Sequence, residues 1–568
     1  MITLCGIYGI VGSTNTNEFL TQLEGLEYRG YDSCGIAYLK NNDIILKKSI
    51  GNVNSLKGKI EDSNTALAIG HTRWATHGIV NEVNAHPHTT LKNRFYVVHN
   101  GMIDNYNELI KKYNINCISN TDTEIIPHLL DIFIKENNIL ESIKIIRNLI
   151  KGSYAIVILD SKETNRLYYL KNKSPLLLAI NHNNVFLSSD QIAFLHDTNV
   201  TILNDLDYGY IEANSYQIYN EVDNERWNTF YKNDKTLVSK QNNHYMLDEI
   251  LYQGNMIKEI SNNYSFIDTN VFNSILKEKE ELVFVGAGSA YYAAYYLSML
   301  YEKTLNKRCH AIIASELLSF NIINKNIVFI FLSQSGETAD LCIALNYLKK
   351  HNYTIISLCN NVNSTIGYNS NYIYPLFAKK EISVASTKAF TAMLYVGKLL
   401  LDNNILVKSK ELIEDINAVF QMKNIIYELS EELIKYDCIF YIGKDKDYPL
   451  ALEGALKLRE VSYIHSFAFP SGELKHGSIA LIDNNSMAIG IVTDNKHYSF
   501  VKNNLQEIKS RGGKTILLSN CNLDADYYLN GDEICICIFL QMLAYYSALL
   551  LNRNIDQPRN LAKSVTVL

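Results

Sequence analysis

The strongest constraint on this chain is a pattern that its second half writes twice. Beyond residue 246 an apolar strand, a polar or glycine loop and a helix follow one another, and the set then recurs. LVFVGAGSAYY (282–292) is answered by CIFYIGKDKDYP (438–449), and IVFIFLSQSGET (327–338) by SMAIGIVTDN (486–495). TIISLCNN (354–361) is answered by KTILLSNC (514–521). Two similar parallel-sheet α/β domains follow, with ligand sites at the carboxyl ends of their strands.

The first 235 residues obey a different rule. Short alternating apolar segments, such as Phe95 to His99 and Tyr154 to Leu159, are broken by Gly, Asn and Asp turns, which predicts a layered sheet domain with some helices. From Glu221 to Asn243 the composition turns polar and loses periodicity, as a linker does. At 568 residues the chain exceeds one hydrophobic core. We therefore expect domains over 5–235, 247–420 and 421–557, with a linker over 236–246 and a tail over 558–568.

A net charge of -6 with scattered Lys and Arg offers nucleic acid no basic face, so small-molecule chemistry is favoured. Ten cysteines without a CxxC pair suggest reduced thiols in the cytoplasm. The uncharged run from Ile534 to Leu551 is nearly long enough to span a bilayer, but Gln541, Tyr545, Tyr546 and Ser547 recur inside it. We read it as a buried helix and expect no membrane partner. No basic region precedes an apolar run at the N-terminus, so no ordinary signal peptide is expected. No metal is expected either, since no His/Cys/Asp cluster has ligand spacing and His86 to His88 reads better as a loop.

Two segments carry chemistry. Ser333 to Thr338 (SQSGET) follows an apolar strand and leads into a helix near Ala339, so hydroxyls and backbone N–H groups converge at a helix N-terminus and can hold phosphate. A capped helix after a polar turn reads the same residues equally well. Its spacing is not that of a P-loop, and no Lys follows the glycine. Cys5, almost N-terminal and followed by Gly and a strand, is either a buried strand cysteine or a nucleophile.

The surrounding motifs decide between these. CGIYGIVGS from Cys5, LEYRGYDSCGIA (26–37), GHTRWATHG (70–78), NAHPH (84–88), HNGMIDN (99–105) and TDTE (121–124) resemble the class II glutamine amidotransferases, which are N-terminal nucleophile hydrolases. SQSGET, VASTKAFT (384–391), ALEGALKLREVSYIH (451–465), GELKHG (472–477) and DQPRNLAKSVTV (556–567) resemble the isomerase half of the glutamine:fructose-6-phosphate aminotransferase (isomerising) family. The resemblance covers the whole chain. It implies an αββα glutaminase domain followed by two doubly wound α/β sugar isomerase domains. The implied reaction moves the glutamine amide nitrogen to fructose 6-phosphate and opens hexosamine biosynthesis, with no cofactor.

The resemblance also assigns roles. Cys5, using its own α-amino group as base, would attack the glutamine amide, while Asn100 and the Gly101 N–H stabilise the oxyanion. Arg73 would bind the substrate carboxylate and Asp122 its ammonium, with Trp74, Thr76 and His77 lining the pocket. Family members usually expose the cysteine by losing the initiator Met alone. Here Met1 to Leu4 precede it, so processing before Cys5 or a start nearer to it is expected. In the second half His476 would assist ring opening, Lys563 form a Schiff base, and Glu460 move a proton between C1 and C2. Lys457 and Glu453 share the helical face of Glu460. Ser289, Ser333, Gln334, Ser335 and Thr338 would hold the phosphate, with backbone contacts from Val384 and Ala562. The family's CGTS loop reads AGSA here, so a hydroxyl is missing at Ala290 and weaker phosphate binding is expected.

Two sites joined by ammonia imply a dry channel, with Trp74 and the tail at its gate and sugar binding before glutamine. Family members assemble through their isomerase domains, so a homodimer or higher oligomer with His476 crossing to the neighbour is implied. Another class II amidotransferase would share only the first domain, and a sugar-phosphate sensor would not need Lys563, Glu460 and His476. An enzyme with an unprocessed Cys5, working as an isomerase or on free ammonia, is a further alternative.

Overall fold

The computed structural model describes residues 5–74, 78–181, 184–194, 198–220, 228–231, 241–320, 322, 324–362, 364–522, 524–561 and 563. These fall into two compact units, one holding the described residues through 231 and the other those from 241 to 563.

The first unit stacks an eight-stranded sheet on a five-stranded one, every neighbouring pair of strands being antiparallel. Period-2 alternation builds the layers. In β1 (Gly6–Asn15) Ile7 and Val11 face inward, and they meet Tyr96 and Val98 of the opposite sheet in the central core. Tyr8 and Ile10 point outward, under Phe19 and Leu20 of the helix Thr16–Glu24. Phe95 and Val97 likewise face the helices Ile125–Phe133 and Ile139–Leu149. Helix, sheet, sheet, helix is the expected αββα order. Beside β1 lies β2 (Asn64–Arg73), and the second sheet begins with β3 (Phe95–Ile103). One expectation changes: the strand Asn228–Tyr231 forms inside the polar stretch read as linker and pairs with Thr198–Ile202. Backbone hydrogen bonds to an existing edge need no apolar periodicity.

The second unit contains two five-stranded sheets in which every pair is parallel. In chain order each sheet runs 2-1-3-4-5, so each has a topological switch point between its first and third strands. In the first sheet these are β4 (Glu281–Gly286) and β5 (Ile327–Ser333), and in the second β6 (Cys438–Gly443) and β7 (Ser486–Val492). These strands carry the apolar runs that the sequence repeats. Helix α1 (Ser289–Leu305) follows β4, α2 (Ala339–Lys350) follows β5, and α3 (Lys388–Leu401) lies beyond the last strand. Helix α4 (Asp447–Ser462) follows β6, and α5 (Glu533–Leu550) closes the unit.

α5 is the one described helix long and apolar enough to cross a membrane, yet 83% of it is buried inside the protein. Gln541, at its centre, accepts from the Gln253 amide at 2.7 Å and donates to the Thr387 carbonyl at 3.2 Å. The apolar run is thus a core helix around which both sheets pack their elements, and Cys535 and Cys537 sit buried on it.

Candidate active sites

In the first unit the chain enters β1 directly after Cys5, whose side chain is 1% exposed. The Cys5 backbone N–H donates to Asn100 Oδ1 at 3.4 Å, and its thiol faces the Trp74 carbonyl at 3.9 Å. Asn100 and Gly101 lie in β3, opposite Ala155 and Tyr154. Gly101 has a φ of +142°, and a Cβ there would collide with the Ser153 carbonyl oxygen, so the position admits only glycine. Its N–H is thereby fixed beside Asn100.

Arg73, the last residue of β2, is 3% exposed. Burial pulls its guanidinium below the usual value, while charge at Cys5, Asp32 and Asp122 pulls it back. Asp122 itself accepts from the Ile103 N–H at 2.7 Å, tying the TDTE turn to the end of β3. Thiol, cation and carboxylate therefore converge at adjoining strand ends. Thr76, His77 and Met1 to Leu4 lie outside the described residues.

Behind this site stands a buried histidine group, one member of which, His86, belongs to the His86 to His88 segment expected as a loop. His71 Nε2 lies 2.9 Å from the His99 carbonyl, and the rings of His71 and His86 are 4.1 Å apart. His86 Nε2 and His99 Nδ1 both meet Thr123 Oγ1 at 2.9 Å. Burial keeps all three well on the neutral side, His71 at about 3. Neutral rings bonded to Thr123 brace the TDTE turn without adding charge.

In the second unit SQSGET occupies the switch point of the first sheet. Ser333 Oγ accepts from the Gly336 N–H at 2.9 Å, and Ser335 Oγ from the Glu337 N–H at 3.2 Å. Gly336 has a φ of +71°, where a Cβ would collide with Ser364 Oγ. The Glu337 carboxylate accepts from the Thr365 N–H and hydroxyl, both at 2.8 Å, and so pins the turn. Thr338 stands at the N-cap of α2, yet its hydroxyl makes no capping bond. Gln334, Ser335 and Thr338 are half-buried. A hydroxyl without a capping bond at a helix N-terminus is the kind of chemistry that can receive an anion. Ser289 and its neighbours open α1 at the other side of the same switch point.

The face predicted on α4 is present. Lys457, 1% exposed, lies 2.6 Å from Glu460 Oε2 and 3.6 Å from Glu453 Oε1. Burial pushes Glu453 up to about 7, with the charge of Lys457 pulling it down. Glu460 stays partly open, its side chain 19% exposed.

Lys563 completes the group. Its ammonium is paired with Glu381, both side chains being buried. The chain leading to it is held at Asp556, whose carboxylate accepts from the Tyr245 and Met246 N–H groups at 2.9 Å and whose carbonyl accepts from the Val384 N–H at 3.0 Å. Arg559 lies over the Tyr463 ring at 4.3 Å. Glu381 also strengthens the positive state of Lys457, so the Lys563 pair and the α4 face share one field. His476 is exposed in the turn 471–477. Ala562 lies outside the described residues. Sequence reasoning missed Glu381 and its companions Lys388 and Glu249, although Lys388 sits within the quoted VASTKAFT.

Comparison with known proteins gives matches in both units. A glutamine amidotransferase domain model matches residues 71–196, and an SIS domain model matches 275–402 and 432–527. A glutamine–fructose-6-phosphate aminotransferase (isomerizing) of Streptococcus agalactiae serotype III is 35% identical over 607 residues, covering 99% of this chain and 100% of its own. One from Oceanobacillus iheyensis is 35% identical over 602 residues, with the same coverage. Among solved structures, the C-terminal domain of a glucosamine-fructose-6-phosphate aminotransferase from Francisella tularensis aligns at 32% identity and a TM-score of 0.52, covering 56% of this chain and 100% of that one.

Proposed function

This chain belongs to the glutamine–fructose-6-phosphate aminotransferase (isomerizing) family, and we propose from that premise how its two sites divide the reaction. It is a class II amidotransferase that transfers the amide nitrogen of glutamine to fructose 6-phosphate, giving glucosamine 6-phosphate and glutamate. The observation that carries the division of labour is the presence of both clusters: thiol, Asn100, Arg73 and Asp122 in one unit, and Lys563, Glu460 and an anion-binding turn in the other.

In the glutaminase unit Cys5, as first residue of the mature chain, attacks the glutamine amide and forms a thioester. Asn100 and the Gly101 N–H hold the oxyanion. Arg73 takes the α-carboxylate as a bidentate fork, and Asp122 takes the α-ammonium. Trp74, Thr76 and His77 line the pocket.

In the isomerase unit Ser333, Gln334, Ser335, Thr338 and Ser289 bind the sugar phosphate. Lys563 condenses with the opened ketose at C2, and Glu460 shifts the proton between C1 and C2. Lys457, 2.6 Å from Glu460, stands beside that carboxylate as its counter-ion. Backbone contacts come from Val384 and Ala562. The exposed His476 assists ring opening across a homodimer contact, and a reducing cytoplasm suits the buried thiols of Cys34, Cys309, Cys359, Cys535 and Cys537. The substrates are small molecules, with neither nucleic acid nor membrane as partner.

The test is stoichiometry. Glutamate and glucosamine 6-phosphate should appear in equal amounts from glutamine and fructose 6-phosphate; glutamate without amino sugar would refute the reading.

A further inference from the structure

Three ionisable groups packed around Lys563 have no role in the reaction as described. Glu381, Lys388 and Glu249 are 2%, 5% and 5% exposed. The Glu381 carboxylate is held rigidly: Oε1 accepts from the Thr387 and Ala389 N–H groups at 2.9 and 3.1 Å, and Oε2 from Ser386 Oγ at 3.2 Å and from Lys563. It therefore sits on the first turn of α3, aimed at one nitrogen. Lys388 donates to the Lys380 carbonyl at 2.5 Å and lies 5.5 Å over the Tyr252 ring. Glu249 accepts from the Ile382 and Ser383 N–H groups through Oε1. Its buried Oε2 has no hydrogen-bond partner among the described residues.

Such a cluster differs from a plain structural ion pair in its balance of charge. Burial, then the neighbouring Glu381, push Glu249 up to about 8, so near neutral pH it is a protonated acid. Burial also works against the charge of Lys388. One carboxylate then faces two buried ammonium groups, with Lys379 at the rim and Lys457 on α4 as further cations. A lysine amine beside a second buried cation gives up its proton more readily.

Building on the reading of Lys563 as the amine that attacks the ketose, we propose that Glu381 is its catalytic proton shuttle and counter-ion, with Lys388 the second buried cation beside the pair. The Glu381 carboxylate takes one proton from the Lys563 ammonium. The freed lone pair forms the C–N bond at C2, and the carbonyl π pair moves to oxygen, which takes a proton from nitrogen. Glu381 then returns its proton to that hydroxyl, the C–O bond breaks, and water leaves. The nitrogen lone pair closes an iminium facing the Glu381 carboxylate. Ammonium and ketone have become iminium and water, with no net proton and no change of oxidation state.

The test traps the iminium on the full-length protein with fructose 6-phosphate and cyanoborohydride, and locates the reduced adduct by peptide mass. An adduct absent from Lys563 in the unsubstituted protein overturns the reading of Lys563 itself, and this proposal with it. Given that adduct, Glu381→Gln should slow its formation about 100-fold or more, the scale of a lost proton-transfer group. The residual rate should climb with pH, and Glu381→Asp should recover part of it. Lys388→Met should move the rate–pH profile to higher pH. Trapping by Glu381→Gln at the original rate and with the original profile would overturn the proposal. Should Glu381→Gln fail to fold, Lys388→Met decides: an unmoved profile overturns it, an upward shift supports it.

Discussion

Glu453 offers a quantitative test of the α4 face. Its carboxyl is 3% exposed and is pushed up from the usual 4.5 to about 7, chiefly by burial. The folded protein therefore holds this proton up to a pH where the unfolded chain has already lost it. Between those values the native state binds more protons, so its contribution to stability falls as pH rises. At roughly 1.4 kcal/mol per pH unit the ionised group costs about 3 kcal/mol above pH 7 and nothing below pH 4.5. Glu453→Gln keeps the shape and removes the charge, and Lys457 retains Glu460 at 2.6 Å. Asp447 and Glu27, raised to about 7 in the same way, titrate in both proteins and cancel from the difference. With an unfolding entropy of about 2.1 cal/mol/K per residue over a unit of roughly 300 residues, 3 kcal/mol corresponds to about 4 or 5 °C. Scanning calorimetry at pH 5 and pH 8 should show Glu453→Gln gaining about that much at pH 8 and only about 1 °C at pH 5. An equal difference at both pH values would refute the reasoning.

Other expectations follow from single contacts. Cys5→Ala should abolish synthesis from glutamine and leave synthesis from ammonium within about twofold, as the two clusters lie in separate units. Thr338→Ala should leave thermal stability unchanged, because the hydroxyl caps nothing, yet raise KM for fructose 6-phosphate about tenfold or more, the scale of a hydrogen bond to a charged group. A capping role would instead lower stability by about 1 kcal/mol with KM unmoved. Gly101→Ala should destabilise the first unit by several kcal/mol, because its φ of +142° and the Ser153 carbonyl exclude a Cβ. Denaturation followed by the fluorescence of Trp74 would report it.

Much of the architecture was legible because it rests on patterns that sequence displays. The repeated apolar strands of β4 to β7 could only pair in parallel once helices followed each of them, and the i,i+3 spacing of Lys457 and Glu460 survives as a 2.6 Å contact. The apolar run in α5 was legible as a core helix through Gln541, a polar group that lipid would leave without partners. What sequence did not reveal depends on long-range proximity. Glu381 and Lys563 are 182 residues apart, and Glu249 reaches Ile382 across 133. No local period announces such a cluster. The histidine group behind Cys5 was obscured for the same reason: His71, His86 and His99 come from separate segments, His86 and His99 meeting at Thr123 and His71 reaching the His99 carbonyl. The strand Asn228–Tyr231 was obscured because its partner, not its own composition, makes it a strand.

The most direct test of the central claim is isotope tracing. The protein is given fructose 6-phosphate, glutamine carrying 15N in its amide, and an excess of unlabelled ammonium, and the glucosamine 6-phosphate is weighed by mass spectrometry. Predominantly 15N-labelled product is predicted, since the nitrogen should pass from the Cys5 site to the Lys563 site. Unlabelled product, or none, would contradict the account.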